Sequence, residues 1–178
     1  MIKLLTVLIM TSQAPPGQTL TLCDFSQASE IESWSIVDDR VMGGKSQGQI
    51  LSTSKGIGLF KGQVSTANNG GFSSVRKPLR ANVSDYEFIC IKIKGDGKSY
   101  QLRLKEKSSD QYSFIQNVKT TGEWEIVELL LSDFYPVFRG RRLSLPNFEG
   151  KSLSELAFLI GNKVNESFDF QIDTIYLK

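Results

Sequence analysis

The chain has 178 residues, 40% of them apolar, and its 21 Lys and Arg exceed its 19 Asp and Glu by a net charge of +2. Such a length fits one domain with a sizeable core, and so small a charge gives no electrostatic reason to expect a nucleic acid or a membrane surface as the partner. The absence of histidine excludes Ser-His and Cys-His nucleophile pairs and histidine-ligated metal sites.

The first residues have the pattern of a signal peptide. Lys3 precedes an apolar run over residues 4–10, and Ser-Gln-Ala at residues 12–14 matches a small-x-small cleavage site. We therefore predict a signal peptide over residues 1–14, a single mature domain over residues 15–178, and export to the periplasm. In the alternative, the apolar run forms a core strand of a cytoplasmic protein. The run is far shorter than the ~20 residues of a membrane span, so no integral membrane segment is expected.

The two cysteines, Cys23 and Cys90, have two interpretations. After export a disulfide between them can persist, whereas in the cytoplasm both are small buried apolar side chains. The alternation of apolar residues around them places neither clearly in the core, and pairing depends on a geometry that the sequence does not give. Both interpretations stay open.

Apolar residues alternate with polar ones through most of the chain, which is typical of half-buried strands. The clearest runs lie at residues 20–22, 89–93 and 100–104, and further strands are expected at residues 112–114, 127–131, 157–160 and 168–172. In the last strand the apolar positions change parity, which predicts a β-bulge near Asp173 and Thr174.

Helical patterns are scarce. Residues 26–33 and 152–156 can each form one or two turns, and no longer stretch keeps a 3.6-residue apolar period. About ten short strands separated by Gly, Asn, Asp and Ser clusters favour an all-β fold, because a helix-poor chain of this size must bury one sheet against another. The sequence therefore predicts a two-sheet β-sandwich.

Residues 38–46, Asp-Asp-Arg-Val-Met-Gly-Gly-Lys-Ser, follow a predicted strand. The paired glycines permit a positive φ or a close backbone approach. We interpret Asp38 as a turn-capping group, with Asp39 and Arg40 as the more exposed pair. Met42 is interpreted as a packing residue of the core or the loop. The two carboxylates also suit a cation bound with nearby carbonyls, or a charged partner.

Two further glycine-containing segments have the composition of turns. Asn-Asn-Gly-Gly-Phe at residues 68–72 and Gly-Asp-Gly-Lys at residues 95–98 each join two predicted strands. Asn-Gly and Asp-Gly are strong hairpin signals because these residues tolerate φ above zero. A phosphate loop needs a strand followed by a helix, so residues 95–98 are not one. We predict a hairpin turn at each string.

The segment over residues 132–150 is irregular and basic. Residues 134–142 mix aromatic side chains with three arginines, two of which are Arg139 and Arg141. Arginines beside aromatics bind carboxylates, phosphates or sugars through forked hydrogen bonds and stacking. In the alternative, Phe134 and Phe138 anchor a solvated loop. Three arginines are too narrow a basic face for RNA, so no nucleic-acid partner is expected.

Several of these strings occur in one order in a known family. Trp34, residues 38–46, Phe-Lys-Gly at residues 60–62, residues 68–72 and residues 95–100 together resemble the complex I intermediate-associated protein family. The resemblance runs from about Asp24 to the C-terminus, and the Phe, Pro and Arg-Gly residues of the basic segment add to it. It implies a galactose-binding-like jelly roll. It also implies a role like that of the mitochondrial members, which help to assemble NADH:ubiquinone oxidoreductase.

Three functions follow as hypotheses. The preferred one, implied by the family, is a non-enzymatic, chaperone-like assembly or scaffold domain that binds a protein partner and needs no cofactor or metal. The second is an exported carbohydrate-binding module that uses an aromatic platform drawn from Trp34, Tyr100, Tyr112, Trp124 and Tyr135, although both tryptophans are expected in the core. The third is a hydrolase with two acids among Asp38, Asp39, Asp96 and Asp110.

The predicted binding surface combines the family strings with the basic segment. We expect residues 38–46 to lie beside residues 139–142, with residues 68–72 as a supporting neighbour, because these loops pair acidic with guanidinium groups. The candidate binding residues are Asp38, Asp39, Arg40, Met42, Asn68, Asn69, Asp96, Tyr100, Arg139 and Arg141.

Overall fold

The computed structural model describes residues 17–178, which form a sandwich of two antiparallel sheets. The strands are β1 (Leu20–Asp24), β2 (Ser35–Asp38), β3 (Gln47–Ser52), β4 (Gly58–Val64), β5 (Ser73–Asn82), β6 (Phe88–Lys94), β7 (Ser99–Lys105), β8 (Ser113–Lys119), β9 (Trp124–Leu130), β10 (Tyr135–Phe138), β11 (Arg141–Arg142), β12 (Ser152–Ile160) and β13 (Glu166–Leu177). Short 3-10 turns occupy Glu30–Ser33, Asp39–Met42, Ala67–Asn69 and Leu131–Asp133. The described part of the chain holds no α-helix, so the predicted all-β sandwich is confirmed.

The strand order defines two faces that point away from the core. One sheet has the order β3-β4-β13-β6-β9, with β1 alongside the C-terminal half of β13, and is called the six-stranded sheet. The seven-stranded sheet has the order β11-β10-β8-β7-β12-β5-β2. Within the described residues no helix has the length and apolar character needed to cross a membrane.

The core lies between the sheets and is rich in aromatic rings. Trp34 stacks between Phe25 and Phe158, with ring centroids 5.7 and 6.4 Å away. Phe170 of β13 packs against Phe158 and Tyr100, at 4.9 and 4.4 Å, and so joins the two sheets. Apolar side chains on alternate residues of the strands other than β10 and β11 supply this contact, as the period-two pattern predicts.

Two bulges decide which side chains enter the core. The register of β13 against β6 shifts between Ile172 and Thr174, which confirms the predicted bulge. A second shift between Thr21 and Cys23 turns Cys23 into the core. Cys90 is also buried, and both thiols are free, so the structure contains no disulfide between them.

Three local predictions are wrong. Residues 68–72 and 95–98 do not close hairpins, because each connects a strand of the six-stranded sheet to one of the seven-stranded sheet. The crossings between sheets need backbone with positive φ as hairpins do, and Asn68 and Asn69 supply it with φ values of 56° and 58°. Residues 152–156 begin the long strand β12 instead of a helix. The predicted signal peptide over residues 1–14 and its alternative, a strand over residues 4–10, lie outside the described residues.

Candidate functional site

Asp39 is the centre of the loop over residues 38–46, and its side chain is fully buried. The hydroxyl and the backbone N–H of Ser46 donate hydrogen bonds to its two carboxylate oxygens, at 2.5 and 2.9 Å. The backbone N–H groups of Gly71 and Phe72 donate to Oδ2 at 2.6 and 3.2 Å. This arrangement, called the Asp39 clamp, ties residues 38–46 to residues 68–72. The interpretation of Asp39 as an exposed residue is therefore wrong.

Glycines make room for the Asp39 carboxylate. A Cβ on Gly44 or on Gly70 would overlap the carboxyl group of Asp39. Gly43 has a different reason, since its φ of 88° suits glycine at the end of the 3-10 turn. The paired glycines of the string therefore serve a close approach at one position and a left-handed backbone at the other.

Asp38 also accepts hydrogen bonds from within the protein. Ser73 donates its hydroxyl to Oδ1 at 2.6 Å, and the backbone N–H of Gly48 donates to Oδ2 at 3.0 Å. These bonds connect the end of β2 to β3 and β5. Asp38 therefore holds three strands in place, which goes beyond the local turn capping that its sequence context predicts.

Asp96 forms a second clamp at the crossing from β6 to β7. Tyr100 donates its hydroxyl to Oδ1 at 2.9 Å, and Lys98 donates its ammonium to Oδ2 at 2.6 Å. The backbone N–H of Asp169 in β13 donates to the same Oδ2 at 3.1 Å. Tyr100 is 1% exposed, so it is a core residue and offers no platform to a ligand. The Asp96 clamp joins the two sheets.

The clamps determine the protonation of their carboxylates. Burial alone raises the pKa of Asp39, but the hydrogen bonds from Ser46, Gly71 and Phe72 outweigh it and the pKa is lowered. Burial likewise opposes the bonds from Lys98, Asp169 and Tyr100, which hold the pKa of Asp96 below its usual value. A general acid needs a raised pKa, so neither of these carboxylates has the property of the general acid of a hydrolase.

The remaining residues of the loop are exposed. Arg40 lies on the surface, and Val41 and Met42 are 75% and 64% exposed. The interpretation of Met42 as a packing residue is therefore wrong, because the 3-10 turn that buries Asp39 points the following side chains to solvent. Asn68 reaches the same loop and donates its side-chain amide to the carbonyl of Gly43 at 3.2 Å, while Asn69 is exposed.

The hairpin of β10 and β11, which carries the arginines of the basic segment, lies far from the loop over residues 38–46. Arg139 and Arg141 are exposed at the turn between β10 and β11, and Arg139 lies over the ring of Phe138 at 5.2 Å. Strands β10 and β11 form one edge of the seven-stranded sheet and β2 forms the other, with four strands between β10 and β2. The predicted contact between residues 38–46 and residues 139–142 is wrong for this reason.

The two tryptophans have different environments. Trp34 is buried, as expected. Trp124 is 41% exposed on the outer face of the six-stranded sheet, so its predicted place in the core is wrong. It lines a groove of about 630 Å³ together with Lys92, Gln171 and Asp173. Its position at the start of an edge strand leaves one ring face without a neighbouring strand to cover it.

A row of six residues stands in register across the outer face of the seven-stranded sheet. It is called the arginine row and runs, from β10 to β2, through Tyr135, Ile115, Arg103, Ala157, Arg76 and Ser35. The sequence places Arg103 on the polar side of a strand, but only the register shows that it faces Arg76 across Ala157. Sequence reasoning missed this pair because strand pairing joins residues that are far apart in the chain.

Polar groups on this face lack partners. Nε of Arg76 and Oγ of Ser74 are buried and form no hydrogen bond within the described residues. Arg103 donates one bond, to Oε1 of Gln101 at 3.0 Å. No carboxylate between residues 17 and 178 forms a salt bridge with either guanidinium. Burial and the charge of Arg76 lower the pKa of Arg103, and Glu155 acts in the opposite direction.

The two sheets also differ in charge. Strands of the seven-stranded sheet carry eight Lys and Arg against two Asp and Glu. Strands of the six-stranded sheet carry three against six. Of the two acids on the seven-stranded sheet, Asp38 already accepts hydrogen bonds from Ser73 and Gly48. Glu155 is therefore the one acid left on these strands to offset the eight basic residues. The small net charge of the chain therefore conceals one strongly basic sheet.

Comparison with known proteins identifies relatives of the same sequence pattern. The family model described as Complex I intermediate-associated protein 30 matches residues 23–172. A mitochondrial protein of that name from Drosophila melanogaster is 26% identical over 149 residues, covering 71% of this chain and 50% of the relative. A probable mitochondrial member from Caenorhabditis briggsae is 23% identical over 177 residues, covering 85% and 52%. The chain spans about half the length of the curated relatives it matches.

Solved structures confirm the galactose-binding-like jelly roll. A family 11 carbohydrate-binding module from Clostridium thermocellum, in complex with a β-1,3-1,4-mixed-linked tetrasaccharide, superposes with a TM-score of 0.69. The match covers 89% of this chain and 94% of the module at 18% sequence identity. At that identity the likeness concerns the fold alone.

The predicted export to the periplasm is contradicted by these relatives. Both are named as mitochondrial proteins. The prediction of export depended on a short signal, an apolar run of seven residues after a lysine. The names of relatives that align along most of the chain outweigh it.

Proposed function

This chain belongs to the Complex I intermediate-associated protein 30 family, and we propose that it acts as a non-enzymatic, chaperone-like domain that binds a protein partner during complex I assembly. The proposal includes a mitochondrial location, as the names of the relatives suggest. The observation that carries it is the family match over residues 23–172. The chain thus acts by holding a partner and needs no reacting group of its own.

The positions that the family strings take in the structure support this function. Asp39 and Asp96 accept their hydrogen bonds from groups of the same chain, at two of the places where the backbone crosses between the sheets. Carboxylates held in this way fix loops and are not poised to take or give protons, because their pKa values are lowered. These hydrogen bonds hold loops that connect the two sheets, and we place the contact with the partner on an outer face of the sandwich.

Removal of the protein from its native cells tests this function. We expect complex I intermediates to accumulate on native gels, and a tagged copy of the chain to migrate with one of them. Re-expression of the wild-type chain restores the mature complex. Normal complex I assembly in the deletion strain, with no intermediate carrying the tag, contradicts the proposal.

The groove beside Trp124 favours glycan binding as a second function. An exposed indole face next to Lys92, Gln171 and Asp173 combines a stacking surface with hydrogen-bonding groups. Titration with a mixed-linked β-glucan oligosaccharide tests it. Binding that is lost in Trp124→Ala supports this function, and the absence of any heat or chemical-shift change excludes this glycan.

A further inference from the structure

We propose that the arginine row is the surface on which this domain holds its partner, and that the partner presents an extended acidic segment whose carboxylates bind Arg76 and Arg103. This inference rests on the proposed assembly function and adds to it the place and the chemistry of the contact. It commits the basic sheet to an acidic protein segment, in place of a glycan or a nucleic acid.

The unpartnered groups are the first observation. Buried polar groups in proteins nearly always form hydrogen bonds, and each exception needs an explanation. Here Nε of Arg76 and Oγ of Ser74 are exceptions two residues apart on one strand, and both lie on the outer side of the sheet. The opposite side of that strand enters the core through Val75. Arg76 is half-buried, so part of its side chain is open to a ligand, whereas Ser74 is fully covered and is not itself a contact.

The spacing of the two arginines is the second observation. They lie on strands at either side of β12, so their Cα atoms are about 10 Å apart, given ~4.8 Å between neighbouring strands. Ala157 stands between them with its methyl group 2% exposed, although it faces outward. The two arginines thus flank a small residue, and arginine binds carboxylates through planar, bidentate hydrogen bonds.

Charge is the third observation. The mutual repulsion of Arg76 and Arg103 lacks a compensating salt bridge, and the nearby Glu155 only partly offsets it. The same sheet carries further basic residues, Arg80 on β5, Lys105 on β7 and Lys119 on β8. An acidic partner neutralises this field and is attracted by it before contact.

The shape of the row favours an extended peptide over a sugar. Six strands at ~4.8 Å give a row of about 24 Å, which an extended segment of about seven residues spans. Sugar binding needs an open aromatic face. Tyr135 is the aromatic residue of the row, and Arg142 already lies over its ring at 4.5 Å.

A binding experiment with a defined probe tests the inference. The probe is an end-capped hepta-glutamate peptide, titrated into the purified chain at physiological ionic strength and followed by calorimetry or by the amide signals of β5, β7 and β12. The variant is Arg76→Gln with Arg103→Gln. The matched control is Lys61→Gln with Lys163→Gln, which removes the same charge from sites off the basic sheet. Hepta-glutamine and an oligogalacturonate of similar length complete the set.

We expect the arginine variant to weaken hepta-glutamate binding by about tenfold or more, the scale of a lost charge-assisted contact, with the control within about twofold of wild type. Equal weakening in both variants reduces the effect to net charge and overturns the inference. Tighter binding of oligogalacturonate than of the peptide reassigns the row to acidic glycans. Failure to bind any of the probes overturns it as well.

The same variant separates this inference from the proposed function. If deletion of the protein blocks complex I assembly but the arginine variant restores it fully, the assembly function stands and the inference fails. If deletion leaves assembly intact, the function fails whatever the peptide titration shows.

Discussion

The Asp39 clamp and the arginine row are two polar regions of one sandwich, and they differ in whether their charged groups have hydrogen-bond partners. In the clamp, a fully buried carboxylate accepts four hydrogen bonds from its own chain. In the row, a buried guanidinium nitrogen has no partner at all within the described residues. A hydrogen-bonded charge stabilises the fold, whereas a buried polar group without a partner is an exception that needs an explanation, which the proposed acidic segment supplies.

Removal of the Asp39 carboxylate has the largest expected effect on stability. Asp39→Ala leaves the donors of Ser46, Gly71 and Phe72 buried without an acceptor, and we expect a loss of about 3–5 kcal/mol in the free energy of unfolding. Denaturant titration measures it. The neighbouring exposed Arg40→Ala serves as the control and should change stability by less than about 0.5 kcal/mol. Equal effects of the two changes would remove the basis of the comparison.

Crowding of the Asp39 carboxylate has the second largest expected effect on stability. Gly44→Ala places a methyl group into the carboxyl of Asp39, and we expect a cost of about 2–3 kcal/mol from overpacking. Gly43→Ala has no atom within 4 Å of the new Cβ and carries only the strain of its positive φ, about 1 kcal/mol. Thermal unfolding of both variants checks the order, and a larger cost at Gly43 would contradict the account.

Acidification tests the charge of the clamps without a change of side chain. The pKa values of Asp39 and Asp96 are lowered in the folded protein, so their contribution is complete above the unfolded value of about 3.9 and is lost as the pH falls through the folded values. We expect stability to fall below about pH 4, and less steeply in Asp39→Asn, which has one such group fewer. An identical pH profile for variant and wild type would show that Asp39 does not contribute.

Removal of a single donor from the Asp96 clamp is expected to lower the free energy of unfolding by less. Tyr100→Phe deletes a single hydroxyl, while Lys98 and Asp169 still donate to the carboxylate, so we expect a loss of about 1–2 kcal/mol. Tyr112→Phe is the matched control, because that hydroxyl is not part of the clamp and the ring packs on Phe114. Denaturant midpoints compare them, and a control as costly as the variant would refute the role given to the hydroxyl.

The smallest expected effect belongs to the arginine row. Arg76→Gln removes a buried donor without a partner and relieves repulsion with Arg103, so stability should stay within about 0.5 kcal/mol of wild type or rise. The control is Lys77→Gln, the next residue, whose ammonium is buried against Glu30 and Ser33. That change should lower stability. A destabilised Arg76→Gln would mean that the row is part of the fold.

The sequence predicts much of the sandwich and little of its surface. Period-two alternation marks strands such as β6 and β7 because each has one face in the core. It does not tell a hairpin from a crossing between sheets, since both need the φ > 0 residues found at Asn68 and Gly97. The hairpin predictions are wrong for that reason.

The candidate site depended on contacts between distant residues. Two adjacent aspartates look alike in the sequence, and only the 3-10 turn and the donors of Gly71 and Phe72, more than 30 residues away, decide that Asp39 is the buried one. The arginine row requires the register of six strands. The family strings contain the carboxylates of both clamps, whereas the binding role that the sequence predicts for Asp39 and Asp96 stays a prediction.

Complementation in cells that lack the protein tests the central claim most directly. The arginine variant, Arg76→Gln with Arg103→Gln, is expressed beside wild type and the Lys61→Gln, Lys163→Gln control, and mature complex I is measured on native gels. We expect the arginine variant to accumulate to the wild-type level yet fail to restore the mature complex, while the control restores it. Full restoration by the arginine variant would contradict the claim that its unsatisfied charges are the working surface.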